Sequence, residues 1–124
     1  MLDDEIETLT APFLASDLAM EVASVYHEHT GVGVGAGEAT AAVISTFREL
    51  LADPDEGPVI FLALAATQLR EGRLVEPVRD AAIALIESGD AQRAWRQTDA
   101  TISIQRRTAL AAVEEQLRVA ELVE

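Results

Sequence analysis

Three stretches of this sequence carry residue types that could do chemistry. The first is His27-Glu28-His29, which has the side chains of a metal site. A helical zinc pair needs imidazoles at i and i+4, so that both project from one face. Here they stand two apart, and on a helix such side chains point in nearly opposite directions. One histidine is therefore expected at the surface and one part-buried near a helix C-terminus, where a cation is favoured. The second stretch is the glycine-alternating run Gly31-Val32-Gly33-Val34-Gly35-Ala36-Gly37. A phosphate cradle needs glycines after a strand and at the start of a helix. No strand precedes this run and no Lys-Ser/Thr pair follows it, so it reads as an interhelix loop. The third is Asp53-Pro54-Asp55-Glu56-Gly57. A calcium loop of the EF-hand type needs glycine at its sixth position and a bidentate acid at its twelfth. Counted from Asp53, glycine comes fifth and Leu64 twelfth, so the segment reads as the stop of one helix and the cap of the next. The serines Ser16, Ser24, Ser45, Ser88 and Ser103 are scattered, and none lies in a G-x-S-x-G turn. No catalytic residue, metal ligand or cofactor site is assigned.

The elements that would position these groups are helical. Ser16 is an N-cap with Asp17 in the first turn, and Leu18, Val22, Val25 and His29 recur at helical spacing. Asp17, Glu21, Ser24 and Glu28 form the opposite, wet stripe. A second helix is read from near Glu38 through Val43, Ile44, Phe47, Leu50 and Leu51, ending at Asp53-Pro54. The third, residues 58–71, opens at Pro58 and contains Val59 to Ala66, a run with no polar face. A helix apolar all round is buried on all sides, so this one is expected at the centre. Thr67 and Gln68 interrupt it. Thr67 should bond back to a carbonyl and Gln68 should bond a neighbouring loop. Further helices follow from Pro77 to Gly89, from Asp90 through Arg96, and from about Ala100 to Leu122. Arg70, Arg73 and Arg79 gather at one turn, where they would pair with the acidic N-terminal half. The fold class is all-α: an irregular bundle of about six helices in a single domain spanning residues 1–124, with residues 1–12 as a loosely ordered acidic lead.

Charge is the strongest compositional signal. The 124 residues hold 22 Asp and Glu against nine basic residues, a formal net charge of −13, and every basic residue is arginine. Residues 1–56 carry twelve acids and one arginine, whereas residues 57–124 carry ten acids and eight arginines. Such a surface repels nucleic acid, whose binding rests on neutralising phosphates with cations. It repels anionic membranes for the same reason and attracts basic proteins. There is no cysteine, which removes disulfides, thiolate nucleophiles and Cys-based metal sites. No basic n-region precedes an apolar stretch, so a cytoplasmic location is expected.

Leu51-Ala52-Asp53-Pro54-Asp55-Glu56-Gly57-Pro58-Val59, Leu62-Ala63-Leu64-Ala65-Ala66-Thr67-Gln68, Gly72-Arg73-Leu74, Ser88-Gly89-Asp90 and Arg93-Ala94-Trp95 together resemble a family of small bacterial proteins. The resemblance covers roughly residues 40 to 118. It implies an all-helical fold and transfers no catalytic residue.

From these features the first functional expectation is a non-enzymatic, immunity- or antitoxin-like module that docks a basic protein through Asp17, Glu21, Glu28, Glu38 and Glu49. A small metal- or ligand-binding enzyme built on His27, His29 and nearby carboxylates is the second. A homo-oligomer formed through the apolar stripe of the last helix is the third.

Overall fold

The computed structural model describes residues 3–91 and 103–123. Seven α-helices and one 3-10 turn account for nearly all of them: α1 (Asp3–Thr10), the 3-10 turn (Ala11–Leu14), α2 (Asp17–Thr30), α3 (Ala36–Thr46), α4 (Arg48–Leu51), α5 (Glu56–Glu71), α6 (Glu76–Ser88) and α7 (Ser103–Val119). Two-residue strands β1 (Leu74–Val75) and β2 (Leu122–Val123) pair in parallel, Leu74 opposite Leu122 and Val75 opposite Val123. The all-α class and the central position of residues 58–71 hold. The segment from Asp90 through Arg96 falls largely outside the described residues, as does Ile102.

Helix α5 is the axis of the structure. It packs against α1, α2, α4, α6, the 3-10 turn and β1. From Leu62 to Leu69 every residue is buried, Thr67 and Gln68 included. Its start is capped from the preceding turn, where Asp53 Oδ1 accepts from the backbone N–H groups of Asp55 (2.8 Å) and Glu56 (3.1 Å). The carboxylate thus satisfies donors left over at a helix N-terminus. At Gly57 the backbone of α5 passes so close to α4 that an added Cβ would stand 2.6 Å from the Leu51 carbonyl oxygen. The helix ends at Gly72, whose left-handed backbone (φ 68°) lets Arg73 N–H reach the Gln68 carbonyl at 2.9 Å. This is the Schellman arrangement, and glycine adopts it without a Cβ penalty.

Three sequence readings need correction. The acidic lead is helical over two turns, Asp3–Thr10. Ile6, Leu9 and Phe13 recur at helical spacing and pack on the core, and Thr10 is fully buried. Asp4 and Glu5 stand in the first turn of α1, where the helix dipole favours carboxylates. Second, the helix after the glycine loop begins at Ala36, with Gly35 at its N-cap. Third, that helix breaks at Phe47 (φ −107°, ψ 23°), and Arg48–Leu51 forms a separate turn. The break keeps Phe47 buried but leaves Leu50, which shares its spacing, 38% exposed.

The last helix buries Leu110, Val113 and Leu117. It packs on α6 and α1 of the same chain, so the stripe considered for self-association is covered internally.

Candidate functional site

Helix α2 positions the acidic stripe. Ser16 caps it, its hydroxyl accepting from Ala19 N–H at 3.1 Å. Ala19, Val22 and Tyr26 face the core, with Leu18 and Val25 packed beside them. The inner face is therefore centred one residue beyond the predicted Leu18–Val22–Val25 line. Anchoring that face turns Asp17, Glu21, Ser24 and Glu28 to solvent, and all four are exposed. Helix α3 packs against α2 and carries Glu38, also exposed. Glu49, on α4, is exposed as well.

None of the five carboxylates Asp17, Glu21, Glu28, Glu38 and Glu49 makes an ion pair among the described residues. Asp17, Glu38 and Glu49 lie in the first turns of their helices, where the dipole stabilises them. Glu21 and Glu28 have no such structural use. The described arginines do not relieve this charge. Arg79 pairs with Glu76 (3.9 Å) and Asp80 (2.9 Å) on its own helix. Arg118 pairs with Glu114 (3.0 Å) and Glu87 (2.6 Å). Arg70 does reach the N-terminal segment, but it donates to neutral acceptors: from Nε to Thr10 Oγ1 at 2.7 Å and from Nη2 to the Glu7 carbonyl at 2.9 Å. The expectation that arginines 70, 73 and 79 neutralise the acidic half therefore fails for Arg70 and Arg79. Arg79 and Arg118 are thus paired within the C-terminal half, and the five carboxylates keep their field among the described residues.

The two histidines have separate partners. His27 is exposed and pairs through Nε2 with Glu71 Oε1 at 2.9 Å. His29 is half-buried and donates from Nδ1 to the Val25 carbonyl at 3.0 Å. Among the described residues no group of three or more His, Asp or Glu is placed to hold a metal ion. Glu71 lies 44 residues from His27 in the chain, on another helix, and no sequence spacing points to their contact.

A buried polar cluster lies beneath. Gln68 donates from Nε2 to Thr40 Oγ1 at 2.7 Å and accepts Val75 N–H at 3.1 Å. Thr40 in turn donates to the Ala36 carbonyl at 2.8 Å. Thr67 bonds back to the Ala63 carbonyl at 2.8 Å, as its position predicts. Tyr26 is fully buried, and its hydroxyl completes no hydrogen bond among the described residues. Burial pushes that hydroxyl above its ordinary value of 10.0, and Glu71 pushes the same way. Arg73 and the Gln68 amide oppose the shift. The amide lies close enough to be felt but is already engaged with Thr40 and Val75.

This fixes a pH prediction. The folded state holds the Tyr26 proton more tightly than the unfolded chain, so the contribution is present below pH 10 and is lost as pH rises through the folded-state value. Tyr26→Phe should cost little at neutral pH, since the removed hydroxyl has no partner to orphan. It should also flatten the alkaline limb of the stability curve. Urea unfolding at neutral and alkaline pH checks both; an equally steep limb in the variant would contradict the assignment.

No protein-family model, no curated protein and no solved structure matches the chain. No helix among the described residues is long and apolar enough to cross a membrane.

Proposed function

We propose that this chain is a non-enzymatic protein-binding module of the immunity or antitoxin kind, which docks a basic protein through the exposed acidic face of α2, α3 and α4. The observation that carries this reading is the uncompensated set Asp17, Glu21, Glu28, Glu38 and Glu49 beside a C-terminal half whose Arg79 and Arg118 are paired locally. Folding usually relieves a charge excess where it can; here the excess is kept on one region. An unpaired acidic field raises the encounter rate with a cationic partner and suppresses association with nucleic acid and anionic lipid. The bacterial family resemblance and a cytoplasmic location belong to the same proposal. No cofactor is assigned.

The test is affinity capture from cells encoding the protein, at low and at high salt. A basic protein retained at low salt and released at high salt, forming a stoichiometric complex when both are purified, is the expected result. Recovery only of acidic or neutral partners, with affinity indifferent to salt, would overturn the reading.

A further inference from the structure

Between the 3-10 turn, α2 and α5 lies a groove of about 400 Å³. We propose that it is a binding site for a small monocarboxylate with a medium-length aliphatic chain. Arg70 is the first reason. Its guanidinium is fixed by Thr10 Oγ1 and the Glu7 carbonyl, and both acceptors are neutral. Thr10 is itself buried and bonded to the Ile6 carbonyl at 2.6 Å. Arg79 and Arg118 each have two carboxylate partners, whereas Arg70 is held in place with none among the described residues. A guanidinium has five N–H donors. Arg70 uses two, which leaves three for a ligand.

The walls supply the second reason. Leu14, Met20 and Ala23 line the groove, and Met20 is 51% exposed, which is costly for an apolar side chain with nothing to cover it. Glu71 also lines the groove, but its carboxylate is engaged by His27 at 2.9 Å rather than by its sequence neighbour Arg70. The cation is thereby left available. A carboxylate matches the planar fork of arginine in two parallel hydrogen bonds. Glu71 lines the groove as well, so the site suits no more than the single negative charge that Arg70 can balance. An aliphatic chain would cover Met20, Ala23 and Leu14. This site is independent of the acidic stripe: Asp17, Glu21 and Glu28 do not line it.

The experiment is an NMR titration of the full chain with octanoate below its micelle concentration. Saturable shifts at the Met20 methyl and the Arg70 Nε–H are expected. Acetate, which lacks the chain, and octanol, which lacks the charge, should each bind at least tenfold more weakly. Arg70→Gln should lose octanoate binding at least tenfold. That variant also weakens the attachment of α1, so Met20→Asp provides a second arm at an exposed position, with the same loss expected and the fold retained. Shifts that do not saturate, that appear equally with octanol, or that survive Met20→Asp would each overturn the proposal.

Discussion

Leu64→Ala should destabilise the protein by about 3–5 kcal/mol. Leu64 is fully buried in the middle of α5, and α5 is the one element against which most of the others pack. Removing the side chain forfeits its transfer free energy and opens a cavity. The cavity cannot close by a small movement of one neighbour, because helices on several sides are fixed by their own contacts with α5. The acidic surface adds to the exposure: with a net charge of −13, self-repulsion leaves little reserve against lost packing. Urea unfolding followed by circular dichroism measures the loss. Leu64→Val keeps part of the volume and should fall between the two, so a graded series survives even if the alanine variant does not fold. A loss below about 1 kcal/mol would be that of a surface or collapsible site, not of a central helix.

The second large effect is expected at Gln68→Leu, about 2–3 kcal/mol. Leucine fills nearly the same space, so packing changes little. The loss comes from the polar groups left behind. Val75 N–H, in the β1–β2 pairing, loses its buried Gln68 acceptor, and Thr40 loses a donor to its hydroxyl oxygen. A buried donor without a partner costs more than its hydrogen bond ever contributed. Gln68 therefore ties α5 to α3 and to the strand after Gly72 through one amide. Thermal unfolding should show a drop on the order of 10 °C for a chain of this size. Amide exchange should show faster opening at Val75 in particular. A variant with unchanged melting and unchanged protection at Val75 would mean that the amide is dispensable.

Local rules made much of this fold readable, and non-local contacts set the boundary. The polar-free run at Val59–Ala66, the Ser16 cap and the Gly72 stop each follow from residues within one or two turns. So does the Glu114–Arg118 pair. Thr67 bonds back within its own helix as expected, because its acceptor is four residues away. For Gln68 the partner in the nearby turn was foreseeable and Thr40, 28 residues away, was not. The N-terminal helix was hidden by its composition: four acids in the first seven residues obscure the Ile6–Leu9–Phe13 spacing that packs it on the core. The break at Phe47 carries no Gly or Pro to announce it, and two-residue strands are too short to show a period. At the candidate site, the exposure of Asp17, Glu21 and Glu28 follows from periodicity alone. The contact of His27 with Glu71 and the fixing of Arg70 by Thr10 depend on helix packing that no local pattern records.

Charge reversal tests the docking claim most directly. Asp17, Glu21 and Glu28 are replaced together by arginine, and Glu115 and Glu121, equally exposed in the C-terminal half, are reversed in a control. Circular dichroism confirms that both variants fold, and calorimetry compares their affinity for the captured basic protein with that of the parent chain. The α2 variant should lose at least tenfold in affinity along with most of the salt dependence, while the control stays within a factor of about two, as expected for rim charges away from the contact. Equal affinity of the α2 variant and the parent would contradict the assignment of this face.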